Sequence, residues 1–119
     1  MRNTGLSAET IEAVQNFVQN RNWNQFHNPK DLAISISLEA AELLECFQWS
    51  GSDTEVASKK ASMAEELSDV LIYCIILADR LGLDIDSIVN AKLQKDIQKY
   101  PVEKAYGKAD KYTSWEDSK

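Results

Sequence analysis

The chain has 119 residues, an apolar fraction of 44%, only 4 Gly and 2 Pro, and a formal net charge of −6. That length supports a core without disulfides or a structural metal, and the composition favours long uninterrupted elements in a single domain over residues 1–119. An acidic body argues against polymeric nucleic acid as a partner, because phosphate contacts need a basic footprint.

Ser7 opens the first predicted helix, in which AETIEAVQNFVQNR places Ile11, Val14, Phe17 and Val18 on one face. Asn28-Pro29 marks the second start, an N-cap followed by proline at the first helical position, and the pattern runs to about Trp49. SGSD breaks it, and a long third helix follows that stops at Leu81-Gly82. Asp84 or Asp86 caps a fourth, which carries Ile88, Val89, Leu93 and Ile97 and ends at Tyr100-Pro101. The helical core thus covers about 7–100, and residues 101–119 read as a basic tail, of which 104–112 is expected to close over a ligand.

No strand-period alternation competes with these segments, so the fold class is all-α, a four-helix bundle-like domain. Helices two and three are apolar around most of their circumference, which predicts assembly through them into a homodimer or homotetramer. No apolar segment follows the start, and the longest apolar run, residues 70–78, is too short for a bilayer. Neither a signal peptide nor a membrane partner is expected. Cys46 and Cys74 sit in apolar helical patterns and read as reduced core residues of a cytoplasmic protein.

Against this apolar background four acids stand out. Glu39 and Glu42 lie three residues apart in LEAAELLECFQW, and Glu66 and Asp69 repeat the spacing in EELSDVLIY. Each pair projects from one helix face. If the two helices pack antiparallel, four carboxylates converge, and uncompensated they would repel strongly, so the arrangement predicts a bound cation. The same spacings also occur on solvated helix faces, and spacing alone leaves both readings open. Glu45 and Glu65 read as peripheral. The sole histidine, His27, lies outside both carboxylate helices, which disfavours zinc and redox iron. An all-oxygen set suits Mg²⁺, with Mn²⁺ as a substitute, and magnesium shares its shell readily with substrate phosphates.

The charge distribution agrees with an acidic site facing a basic segment. Residues 1–91 hold 6 Lys+Arg against 14 Asp+Glu, whereas residues 92–119 hold 7 against 5. The second reading, of a different class, is a non-catalytic helical interaction module whose acidic cluster binds a structural ion or a basic partner.

The order LEAAELLECFQW, EELSDVLIYCIILADRLGLDI, then AKLQKDIQKYPVEKAYGKADKYTSW resembles the MazG-like all-α nucleoside triphosphate pyrophosphohydrolases, nearest to the branch containing the dCTP pyrophosphatases. The resemblance covers roughly residues 22–115. It implies hydrolysis of a (deoxy)nucleoside triphosphate, dCTP or a modified dCTP first, to monophosphate and pyrophosphate with Mg²⁺, in the service of nucleotide-pool clean-up. Carried over by position, Glu39, Glu42, Glu66 and Asp69 are the implied metal ligands, and Glu39 or Glu42 also orients or deprotonates the attacking water. NWNQFHNPKDL resembles the substrate-facing segment before helix two, so Trp23 and His27, with Trp49 and Tyr73, are implied around the base. Lys92 and Lys95 are implied beside the phosphates. Relatives often have asparagine where this chain has Asp96, so that position is expected at sugar or base, or to have no contact.

Overall fold

The computed structural model describes residues 5–109 and 113. Residues 110–112 of the expected closing tail, and Trp115 within the family resemblance, lie outside the described residues. Among the described residues there are five α-helices and no strand: α1 (Ala8–Asn20), α2 (Pro29–Glu45), α3 (Lys60–Arg80), α4 (Ile85–Lys99) and α5 (Val102–Ala105). The all-α class expected from the sequence is the one observed. The chain divides into two compact units, Met1–Leu83 and Asp84–Lys119.

Capping chemistry sets where the helices begin. The Ser7 hydroxyl accepts from the Thr10 N–H at 3.1 Å, and Asn28 Oδ1 accepts from the Asp31 N–H at 2.8 Å with Pro29 opening the first turn. Each bond satisfies a donor that the helix itself leaves unpaired. Of the two candidate caps for α4, Asp84 takes the role, accepting from the Ser87 N–H at 3.0 Å. Asp86 falls in the first turn, where negative charge suits the helix dipole.

α3 ends where the sequence places the stop. The Leu83 N–H donates to the Ala78 carbonyl at 2.9 Å and the Gly82 N–H to the Asp79 carbonyl at 3.0 Å, a complete Schellman pair. Gly82 has φ +67°, and no atom lies within 4 Å of where a Cβ would stand. Gly82→Ala is therefore expected to cost about 1 kcal/mol through backbone conformation alone, read as a lower denaturant midpoint with unchanged m.

Two boundaries differ from the sequence reading. α2 stops at Glu45 rather than near Trp49, because the chain tightens: the Phe47 N–H donates to Leu44 O and the Gln48 N–H to Glu45 O, each three residues back. Trp49 then turns left-handed, with φ +67°. Beyond Pro101 the expected loop contains a one-turn helix, α5, too short to leave a periodic pattern.

In the first unit α2 packs along α3, and α1 packs against α3. The core joins one residue from each: Val18 of α1, Leu32 of α2 and Ile76 of α3, with Val14, Tyr73 and Leu77 packed around them. Large apolar side chains nonetheless stay exposed on the two central helices, among them Leu38 and Leu44 on α2 and Leu67 and Leu71 on α3.

The α2–α3 connection carries an unusual residue. Val56 is buried yet has φ +46°, a conformation that β-branched residues rarely adopt. Asp53 Oδ1 holds it there, accepting from the N–H groups of Glu55 at 3.1 Å and Val56 at 3.0 Å. Those backbone bonds also hold the Asp53 carboxyl below its ordinary value.

Candidate functional site

The three-residue spacing sets Glu39 and Glu42 on one face of α2, and Glu66 and Asp69 on one face of α3. Packing of α2 on α3 turns these faces together. One carboxylate oxygen from each of the four residues lies within 4.8 Å of all the others. Glu39 and Glu66 are half-buried, whereas Glu42 and Asp69 remain exposed. At the other end of the same pair, His27 precedes α2 and its carbonyl accepts from Arg80 Nε, in the last turn of α3, at 3.1 Å. Start of one helix meets end of the other, so α2 and α3 run antiparallel.

The electrostatics of the cluster are unfavourable as the chain alone presents it. Burial, then the adjacent Glu42 carboxyl, then the charges of Asp69 and Glu66 hold the Glu39 carboxyl above its ordinary value of 4.5. Glu66 moves the same way, through burial first, then Glu42, Asp69 and the neighbouring Glu65. Glu39 Oε2 and Glu66 Oε2 are buried with no hydrogen-bond partner among the described residues. Two orphaned carboxylate oxygens, in a group of four acids with no basic partner described, are what a cation would satisfy. The donor set is entirely oxygen, which suits a hard divalent ion. The residues therefore fit a metal.

The remaining residues named from the sequence fall in several places. Trp23 lies in a short 3₁₀ turn, Trp23–Phe26, with its ring edge-on to Phe17 at 5.4 Å between centroids and to His27 at 6.5 Å. His27 Nδ1 is buried without a hydrogen-bond partner among the described residues. Trp49 is 91% exposed. Tyr73, one turn beyond Asp69, is partly buried against the core cluster and has a packing role there. Lys92, Lys95 and Asp96 belong to α4 in the second unit, where the Lys92 ammonium donates to Asp96 Oδ1 across one helical turn. Asp96 is thus engaged in an ion pair on a solvated face.

Cys46 and Cys74 are both free thiols, and burial pushes Cys74 up, away from nucleophilic use. On a different face of α3, Ser68, Leu71, Ile72 and Ile75 join Val14 and Phe17 of α1 around an apolar groove of about 510 Å³. Sequence periodicity gives no hint of that groove, because its walls are ordinary core-type positions left uncovered.

The sequence profile of the MazG-like family matches residues 34–114, which include all four carboxylates. The chain belongs to the MazG-like family. Its relatives include dCTP pyrophosphatase 1 of Mus musculus, 43% identical over 103 residues that make up 82% of this chain and 60% of the mouse protein. The same protein of Bos taurus is 36% identical over 116 residues, 90% of this chain and 69% of the bovine one. A MazG-like chain of this size thus spans about 60% of the length of the mouse relative. Among solved structures, a pyrophosphatase from Archaeoglobus fulgidus superposes with a TM-score of 0.73 at 36% identity, covering 85% of this chain and 99% of that one. No helix among the described residues is long and apolar enough to cross a membrane.

Proposed function

We propose that this protein is a nucleoside triphosphate pyrophosphohydrolase, releasing pyrophosphate from (deoxy)nucleoside triphosphates with Mg²⁺, dCTP or a modified dCTP first. The observation that carries the reading is the convergence of four carboxylates from α2 and α3, two of them with buried oxygens that lack a partner. The relatives, dCTP pyrophosphatases and a pyrophosphatase, support the reaction class and the first substrate.

In this reading Glu39, Glu42, Glu66 and Asp69 hold the divalent ion. When bound, the ion supplies charge neutralisation of the polyphosphate and lowers the pKa of a coordinated water. One of the α2 carboxylates, Glu39 or Glu42, orients the attacking water or accepts its proton. Rigid helices suit this work, because both acids are held by backbone that does not need to rearrange. Trp23, His27 and Trp49 offer ring surface to the base, a contact that tolerates several bases. Tyr73, one turn beyond Asp69 and partly buried against the core, joins them on the base side of the site. Lys92, Lys95 and Asp96 enter through the family resemblance. The exposed Leu38, Leu44, Leu67 and Leu71 support self-association through α2 and α3, as a homodimer or homotetramer.

The test is pyrophosphate release from a panel of NTPs and dNTPs, with and without Mg²⁺. Metal-dependent release with dCTP among the best substrates is the expected result. A folded protein that releases none from any nucleotide would overturn the enzyme reading and leave the acidic cluster as an ion or partner site.

A further inference from the structure

Residues 22–28 carry Trp23 and His27, yet most of the hydrogen bonds described for this segment are local. Gln25 Nε2 donates to the Asn22 carbonyl, the His27 N–H donates to Asn24 O, and Asn28 bonds with Asp31. Local bonds shape the turn, and the edge-on contact of Trp23 with Phe17 packs it against α1, but neither ties it to α3, which carries Glu66 and Asp69. His27 Nδ1 adds no tie to α3, being buried without a hydrogen-bond partner among the described residues. The bond that reaches across the fold is Arg80 Nε to the His27 carbonyl, 3.1 Å long and 53 residues apart in sequence.

Arg80 sits on the same helix as Glu66 and Asp69. Asp69 and Arg80 are separated along α3 by roughly 16 Å at 1.5 Å per residue. One rigid helix therefore carries two carboxylates of the candidate metal centre at one position and the anchor for the aromatic turn at another. A guanidinium is well suited to this, because it is permanently charged and its bond to a carbonyl is charge-assisted.

Resting on the proposed pyrophosphohydrolase function, we infer that Arg80 is a positioning residue for the nucleobase side of the site. It holds residues 22–28, and with them Trp23 and His27, in fixed register to the four carboxylates. It touches no reacting atom. The competing role for a basic residue in a last helical turn is purely structural, stabilising the end of α3 through the helix dipole. That role lowers stability without separating substrate binding from turnover.

Steady-state kinetics on dCTP with Mg²⁺ separate the two, comparing wild type with Arg80→Ala and Arg80→Lys. Arg80→Ala is expected to raise KM roughly three- to tenfold, one hydrogen bond's worth, with kcat changed by less than about twofold. Arg80→Lys, which keeps a charged donor, is expected to recover most of that loss. Amide hydrogen exchange on the nucleotide-free proteins gives a readout that needs no activity. Faster exchange within residues 22–28 in Arg80→Ala, with α3 unchanged, is the expected result. Unchanged KM, or a fall in thermal stability with no local change in exchange, would overturn the inference. Were wild type to release pyrophosphate from no nucleotide, the functional reading would fall, and the exchange experiment would still decide whether Arg80 anchors the turn.

Discussion

Glu42→Gln is expected to lower kcat/KM for pyrophosphate release at least about a hundredfold while making the metal-free protein more stable. The two effects share one cause. The Glu42 carboxyl acts on both Glu39 and Glu66, through side-chain hydrogen bonding as well as charge, ahead of the charge of Asp69. Glutamine keeps its shape but removes a charge and turns one acceptor oxygen into a donor. Activity then loses a ligand and one of the two acids proposed to handle the attacking water. Stability gains, because the remaining carboxylates repel less and the new amide can donate to an oxygen left unpaired. An interaction module would show altered assembly instead, and a residue needed only for folding would lose activity and stability together. Pyrophosphate release and thermal unfolding of one variant distinguish these. Undiminished release would remove Glu42 from the site.

The metal-free protein is also expected to lose stability as pH rises above about 4.5, and a divalent metal is expected to reverse that trend. Glu39 and Glu66 have folded-state carboxyls raised above their ordinary value of 4.5. Between the ordinary and the raised value the folded state holds protons that the unfolded chain has released. Stability therefore falls as pH rises through that window. Asp53 and Asp84 act in the opposite sense, since hydrogen bonds hold both below their ordinary 3.8, and their contribution is lost only as pH falls beneath that value. The windows do not overlap, so the decline above 4.5 belongs to the cluster. Metal must displace the protons it competes with, so its stabilisation grows with pH. At a hundred times its Kd it supplies about 2.7 kcal/mol. Thermal unfolding between about pH 5 and about pH 8, with chelator or with Mg²⁺, checks both halves. The Glu39→Gln, Glu66→Gln double variant should flatten the metal-free slope, and a slope that persists in it would place the cause elsewhere.

The cluster was legible because helical spacing is local arithmetic. Glu39 with Glu42, and Glu66 with Asp69, share faces whatever the tertiary structure, and the apolar sequence around them points those faces inward. The caps at Ser7 and Asn28 and the stop at Gly82 were readable for the same reason, since each depends on a few neighbouring residues. Contacts between distant segments left no such trace. Nothing in LADRLGLD announces that Arg80 reaches the His27 carbonyl. Nor does the apolar pattern of Ile11, Val14, Phe17 and Val18 tell which face α1 leaves open as a groove. Tyr73 shows the limit of face arguments: four residues from Asp69, it shares that side of α3 but is drawn into the core beside Leu32 and Ile76. Val56 went unmarked because its left-handed backbone runs against its own propensity and is set by Asp53 and by burial. Lys92 and Asp96, expected beside the phosphates and at sugar or base, pair with each other instead of standing apart, a contact that their four-residue spacing permits.

The antiparallel α2–α3 pair bears on how the chain reaches its native state. Residues 46–59 alone join the two helices, so this is a helical hairpin, and its short connection keeps the loop-closure cost of pairing them low. Its closure brings four carboxyl groups within 4.8 Å of one another, with no donor among the described residues for the two buried oxygens. If the hairpin is formed in the folding transition state, their repulsion slows the forward rate as well as lowering native stability. A divalent cation held there would then act as a template for the hairpin, raising the folding rate in addition to deepening the native well.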